Sequence, residues 1–365
     1  MESFHCPSPK IAIFLCTFKG ENFLQKQLES IETQTYTNWI LYVSDDGSDD
    51  GTLDILRNYV SKWGKERIWI FDGPQKGFST NFMSLVCNKS LTADFYAFSD
   101  QDDIWDADKL ERSLLFLNNT PDTAELYCSR TRLINEIDQE IGFSPLFSTR
   151  ACFENALVQN IAGGNTMVFN ECARKLLSLT NSNIVSHDWW TYLLVTGCGG
   201  KVYYDTNPII RYRQHDRNLV GSNSDWKARY VRFKMLLRGR FRDWNELNLQ
   251  ALSHLEHLLT PYNQRILKQF SLTLNPLEDY RFFPKLKPNL LDLQTALQQR
   301  AQDLLCPQLL MNESFSFLSK INIESTVLTT ARSHFRLSSY WTLFKNKSNF
   351  GTNSGFFPFI NGTSM

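Results

Sequence analysis

The chain has no long apolar run. Nothing in it approaches the ~18 residues that a membrane span needs, and its first ten residues carry no signal-peptide pattern. It is therefore expected to stay in the cytoplasm, soluble or attached to a membrane face. Net charge is missing too: 38 basic and 38 acidic residues cancel. Bulk charge thus leaves no electrostatic footprint for nucleic acid, and no such partner is expected. Eight cysteines are present, but no two stand at CxxC spacing. Several lie in apolar runs, which favours buried thiols in a reducing compartment over a disulfide frame or a zinc site. There is no internal repeat at a period of about 20–50 residues, and no low-complexity linker before residue 270. At 365 residues the chain has room for one large domain or two ordinary ones, with a sizeable core.

What is present is an alternation of short apolar runs with amphipathic stretches. Residues 10–16, 39–43, 68–71 and 93–98 read as strands. Helical spacing follows each of them, to about residue 34, over 53–63, over 81–91 and over 106–117. Strands alternating with helices in this way predict βαβ units, a parallel sheet and right-handed crossovers. Further strands are expected over 125–134, 166–169, 201–204 and 209–212, with helices over 171–179 and from 186 to about 196.

The acidic residues gather where the strands end. The second strand runs into Asp45-Asp46-Gly47-Ser48, and the fourth into Ser99-Asp100-Gln101-Asp102-Asp103-Ile104-Trp105. In a parallel sheet these ends lie on one edge, outside the carboxyl ends of the strands, where open α/β sheets bind ligands. Three carboxylates within four residues repel one another and suit a hard divalent cation, which typically takes one or two of them plus substrate phosphates. The plainer alternative is an Asp-rich loop that caps the next helix. The 45–51 stretch lacks the alternating ligands and the twelfth-position Glu of an EF-hand.

Taken together, these residues resemble a known family. The run Ala12-Ile13-Phe14-Leu15-Cys16-Thr17-Phe18-Lys19-Gly20-Glu21, then Gln34-Thr35-Tyr36-Thr37-Asn38-Trp39 and Asp45-Asp46-Gly47-Ser48, is similar to the start of a family 2 glycosyltransferase of the GT-A fold. The Asp100-Gln101-Asp102-Asp103 run resembles that family's metal-binding DxD motif. With His187-Asp188-Trp189-Trp190 and Gln214-His215-x-x-Asn218 downstream, the pattern is most similar to the bacterial rhamnosyltransferase-like branch. The resemblance covers roughly residues 8 to 245 and implies a GT-A α/β domain over 8–224. A helical C-terminal extension over 225–305 and an irregular tail over 306–365 are expected beyond it.

The resemblance also implies roles. Nucleotide-sugar contacts fall to Thr17, Phe18, Glu21, Asp45, Asp46, Asn81 and Asp100, with Phe18 stacking on the base and Asp46 recognising it. Asp102 and His215 match the Mg2+ or Mn2+ site, Asp188 matches the catalytic base, and Gly164, Asn165, Trp189 and Trp190 would meet the acceptor. Lys19 stands where Asn is usual, and Lys76-Gly77 where Asn-x-Gly is common, both on the nucleotide side. The implied reaction is inverting transfer of a sugar, L-rhamnose from dTDP in this branch, to a glycan or lipid-linked acceptor in surface polysaccharide synthesis. The chemistry fits independently: a cation neutralises the leaving diphosphate, and one carboxylate takes the acceptor's proton. Two rival readings use the same residues, a nucleotidyl or phosphoryl transferase and a non-catalytic nucleotide-sugar-binding subunit. Beyond the motifs, Trp226, Tyr230, Phe233, Leu237, Phe241 and Trp244 form one helical stripe among seven Lys and Arg residues. That helix suits an anionic membrane surface, or simply packs its stripe on the domain.

Overall fold

The computed structural model describes residues 8–118, 120, 122–148, 150–215 and 240–274, with side chains to be discussed at all of these except 240–242 and 272–274. The chain opens with β1 (Ile11–Thr17), α1 (Leu24–Glu32), β2 (Trp39–Asp45), α2 (Thr52–Trp63), β3 (Ile68–Asp72), α3 (Phe78–Val86) and β4 (Phe95–Ser99). It continues with β5 (Ile104–Trp105), α4 (Lys109–Phe116), β6 (Glu125–Ser129), β7 (Arg132–Ile134), β8 (Glu140–Phe143) and α5 (Phe153–Val158). A 3-10 turn at Gly164–Thr166 leads to β9 (Val168–Asn170), α6 (Glu171–Leu177), α7 (His187–Gly197), β10 (Lys201–Asp205) and β11 (Ile210–Arg213). Two further helices are α8 (Arg240–His254) and α9 (Pro261–Leu274).

Seven strands form the main sheet in the order β10-β6-β9-β4-β1-β2-β3. All its pairings are parallel except those of β9, which runs antiparallel to both β4 and β6. Strand β1 is buried at every position because both faces of the sheet are covered. Ile11, Ile13 and Leu15 face a cluster with α1, α2 and α4 residues. Ala12, Phe14 and Cys16 face another that takes in α3, α5, α6 and α7. This period-two division explains why the sequence shows an unbroken apolar run. The mixed α/β architecture with a mostly parallel sheet is the one expected.

Several boundaries differ from the sequence reading. The single strand expected over 125–134 is two: the chain leaves the main sheet after Ser129, and β7 joins a second, four-stranded sheet in the order β5-β11-β7-β8. The helix expected over 81–91 begins at Phe78 and stops at Val86. Most of the basic aromatic stripe, residues 226–239, lies outside the described residues, as do 275–365. At its described end, Trp244 packs against the core cluster below the main sheet. Ala251, Leu252, Leu255, Leu259, Ile266, Leu267 and Phe270 belong to that same cluster. Helices α8 and α9 therefore complete the core of the domain. No helix among the described residues is long and apolar enough to cross a membrane.

Candidate active site

Parallel pairing brings the ends of β1, β2 and β4 together, with Thr17 opposite Asp45 and Leu15 opposite Ser99. The two acidic clusters and the Phe18 loop thus share one edge of the sheet.

Asp45 organises its own turn. Its carboxylate accepts from Thr17 Oγ1 (2.7 Å), Ser48 Oγ (2.6 Å), Ser48 N (2.8 Å) and Gly47 N (3.2 Å). Thr17 and Asp45 are both buried. Asn81 is likewise buried and closed on β2: Ser44 Oγ donates to its Oδ1 at 2.6 Å, and its Nδ2 donates to the Ser44 carbonyl at 2.9 Å. Asp46 accepts from Gln75 N (2.6 Å) and Gly77 N (3.0 Å) and so fixes the loop that enters α3. Glu21 accepts from Gly51 N at 2.8 Å and joins the β1–α1 loop to the start of α2.

Phe18 is different. Its ring is 51% exposed at the mouth of the edge, while its backbone is gripped by Gln101. Phe18 N donates to Gln101 Oε1 at 2.8 Å, and Gln101 Nε2 donates to the Phe18 carbonyl at 2.9 Å. Lys19 follows at φ 52°, in the left-handed region. It is held there by Lys19 N donating to Ser48 Oγ (2.9 Å), and its ammonium pairs with Asp49.

The carboxylates of the β4–β5 turn divide by role. Asp103 is fully buried and accepts from Asn165 Nδ2 (2.5 Å) and Arg213 N (3.2 Å). Burial, with Asp102 and Asp100 nearby, pushes its carboxyl well above the usual range. Asp100 is half-buried, and desolvation first, then the charges of Asp102 and Asp188, push its carboxyl up to about 8. Asp102 Oδ2 lies 2.7 Å from His215 Nε2, whose ring stacks on Phe23 at 5.3 Å. The buried Arg213 donates from Nε to the Asp102 carbonyl at 2.9 Å and pairs with Asp138 at 2.5 Å, so one cation organises the acidic turn from behind.

Asp188 sits in the first turn of α7. Its Oδ2 accepts from Asn160 Nδ2 at 2.9 Å and its Oδ1 from Trp189 N at 2.7 Å. The four positions expected to meet the acceptor, Gly164, Asn165, Trp189 and Trp190, are all buried. Trp189 and Trp190 are buried, their indole N–H groups donating to the Ala156 carbonyl and to Thr180 Oγ1, each at 2.7 Å. Asn165 is spent on Asp103. Gly164 is buried against the α7 terminus, where a Cβ would lie 2.6 Å from His187 Nε2 and 3.2 Å from Asp188 Cβ. Its missing side chain leaves room for His187 and Asp188. His187 itself is buried, stacked on Phe82 at 3.9 Å, and burial pushes its pKa down to about 4.

The structure thus brings together Phe18, Asp46, Asp100, Asp102, His215 and Asp188. The sequence reading missed Gln101, Asn160, Tyr212 and Arg213. Tyr212 lies within electrostatic reach of Asp103, Asp100, Asp102 and Asp188. Of these, only Gln101 stood inside a motif; the other three are placed by long-range packing.

Residues 12–177 match the family described as Glycosyl transferase family 2. That stretch holds both acidic clusters but ends before Asp188 and His215. The chain is 28% identical over 240 residues to the dTDP-rhamnosyl transferase RfbG of Shigella flexneri, covering 62% of this chain and 81% of the relative. It is 32% identical over 111 residues to the UDP-Glc:alpha-D-GlcNAc-diphosphoundecaprenol beta-1,3-glucosyltransferase WfgD of Escherichia coli, covering 30% of this chain and 42% of that protein. Among solved structures it is similar to the mannosyltransferase PcManGT from Pyrobaculum calidifontis in complex with GDP-Man and Mn2+. That likeness has a TM-score of 0.49 and 14% identity, over 95% of this chain and 89% of the other. Residues 12–177, from β1 to α6, are thus the stretch of this chain that matches Glycosyl transferase family 2.

Proposed function

We propose that this chain transfers a sugar from a nucleoside diphosphate donor to a hydroxyl acceptor, with inversion and with a divalent metal. The observation that carries this is the opposition of two acidic groups. Asp100 and Asp102 with His215 stand at the strand ends, and Asp188 stands at the start of α7, near enough for its charge to act on Asp100. Asp188 takes the proton of the attacking hydroxyl. Asn160 and the Trp189 N–H fix its two oxygens. The exposed Phe18 ring receives the base, and Asp46 stands at its rim.

Asp102 and His215 are the residues that would hold Mg2+ or Mn2+. Among the described residues no three ligating side chains converge, and two protein ligands fit an ion that completes its shell with phosphate oxygens and water. When bound, the ion neutralises charge on the leaving diphosphate. The similarity to RfbG supports dTDP-L-rhamnose as donor, and the similarity to WfgD supports a lipid-linked acceptor, in polysaccharide synthesis.

The test is incubation with a panel of nucleotide sugars, with Mn2+ and with a chelator, followed by mass spectrometry of the products. Transfer or hydrolysis of dTDP-rhamnose that requires the metal is expected. Release of pyrophosphate, or binding without turnover of any donor, would overturn the proposal.

A further inference from the structure

We infer that Gln101 is a positioning residue for the donor: its amide sets where the Phe18 ring stands relative to the carboxylates of its own turn. This rests on the proposed reading of Phe18 as the base platform and adds a residue to it. Gln101 lies between Asp100 and Asp102, yet its side chain turns away from them and runs back to β1. There it bonds both backbone polar groups of Phe18, accepting from the N–H at 2.8 Å and donating to the carbonyl at 2.9 Å. One side-chain amide thus meets the N–H and the C=O of one residue, as a strand neighbour would, and each atom has a single consistent role.

The neighbouring residues show that this grip is built in. Lys19 holds a left-handed φ of 52°, a conformation that strains a residue with a Cβ and needs fixing on both sides. On the far side Lys19 N is bonded to Ser48 Oγ and Gly20 N to Thr52 Oγ1, at 2.9 and 2.8 Å. On the near side the fixing group is Gln101. Gly20 leaves the space for it: a Cβ there would lie 2.3 Å from Gln101 Oε1 and 2.7 Å from Gln101 Cδ, and its three nearest neighbours are all Gln101 atoms. Gly20 has no left-handed φ, so its missing side chain serves this close approach. A nucleoside diphosphate must reach from an aromatic face to the acidic turn. Gln101 is the tie that fixes that span, since it belongs to the second and binds the backbone of the first.

The closing experiment uses dTDP and inorganic pyrophosphate, each titrated calorimetrically in Mn2+ into the parent, Gln101→Ala, Gly20→Ala and the double variant. Base stacking is lost without touching any carboxylate, so dTDP should bind about tenfold more weakly to each single variant. Pyrophosphate, which has no base, should bind all four alike. Because the Gly20 methyl acts only by displacing Gln101, the double variant should be no worse than Gln101→Ala. Unchanged dTDP affinity in Gln101→Ala would overturn the inference. Equal weakening of both ligands, or additive losses in the double variant, would do so as well. If the parent binds pyrophosphate but gains nothing from the nucleoside, the base-platform reading of Phe18 fails and takes this inference with it.

Discussion

Lys19 holds a left-handed φ of 52°, a backbone region that Asn tolerates better than Lys. Lys19→Asn should therefore stabilise the fold by about 0.5 kcal/mol. A higher urea midpoint with unchanged slope would show it, since the exposed pair with Asp49 contributes little. His187 makes a second prediction. Its ring is held neutral by burial, with a pKa near 4 against 6.5 when unfolded. Stability is full above pH 6.5 and is lost as pH falls toward 4, because only the unfolded chain takes up the proton in that window. Relative to His187→Phe the loss should reach about 3 kcal/mol, read from urea unfolding at a series of pH values. The comparison cancels the opposite trend of Asp100 and Asp103, whose raised carboxyls favour the folded state as pH falls. For the base, Asp188→Asn should lower turnover by ~10²–10⁴ with donor affinity nearly unchanged. A collapse of donor affinity with normal turnover of bound donor would make Asp188 a nucleotide ligand. The residue types at the site were readable, because carboxylates at strand ends are a local pattern. How each carboxylate is bonded was not: Asp45 and Asp46 are adjacent, yet Asp45 accepts from β1 and its own turn, and Asp46 from the loop before α3.

At the scale of elements, the first four strands were legible because each is a short apolar run closed by a polar turn. Strand β9 was found as a strand, but nothing local to residues 168–170 says that it runs antiparallel between β4 and β6. The Trp189-Trp190 pair beside a candidate base reads equally as a sugar platform or as core. Only the packing of α5 and α6 on α7 decides for core. That packing makes the α7 terminus rigid, and Gly164 is where it is closest. Gly164→Ala should push His187 and Asp188 aside and lower turnover by about 10²-fold, as misplacement of about an ångström does. A crystal structure of the variant, or a turnover number equal to the parent's, settles it. The β4–β5 turn behaves otherwise, since Asp102 is a half-buried group at a strand end. Asp102→Asn should abolish metal-stimulated transfer and leave the thermal midpoint nearly unchanged. Full activity of that variant in metal-depleted buffer would remove Asp102 from the metal site.

At the scale of the whole molecule, α8 and α9 pack into the same core cluster as α7. Asn263 Nδ2 donates to the Thr196 and Gly197 carbonyls at 3.1 and 2.8 Å, closing the last turn of α7. Leu252 is fully buried in the same cluster as Trp190. Leu252→Ala should therefore cost about 2–5 kcal/mol and lower the midpoint of one cooperative transition followed by both Trp fluorescence and circular dichroism. Two separate transitions would mean that the helices fold apart from the sheet. The antiparallel strand of the main sheet, β9, bears on how the molecule is made. While residues up to about 160 have left the ribosome, β4 and β6 both exist, yet each has an open edge that only β9 can fill. The half-sheet of β1 to β4 must wait through the synthesis of some seventy residues. In that interval the Phe95–Ser99 edge, apolar and unpaired, is the part of the nascent chain that a holding chaperone would recognise.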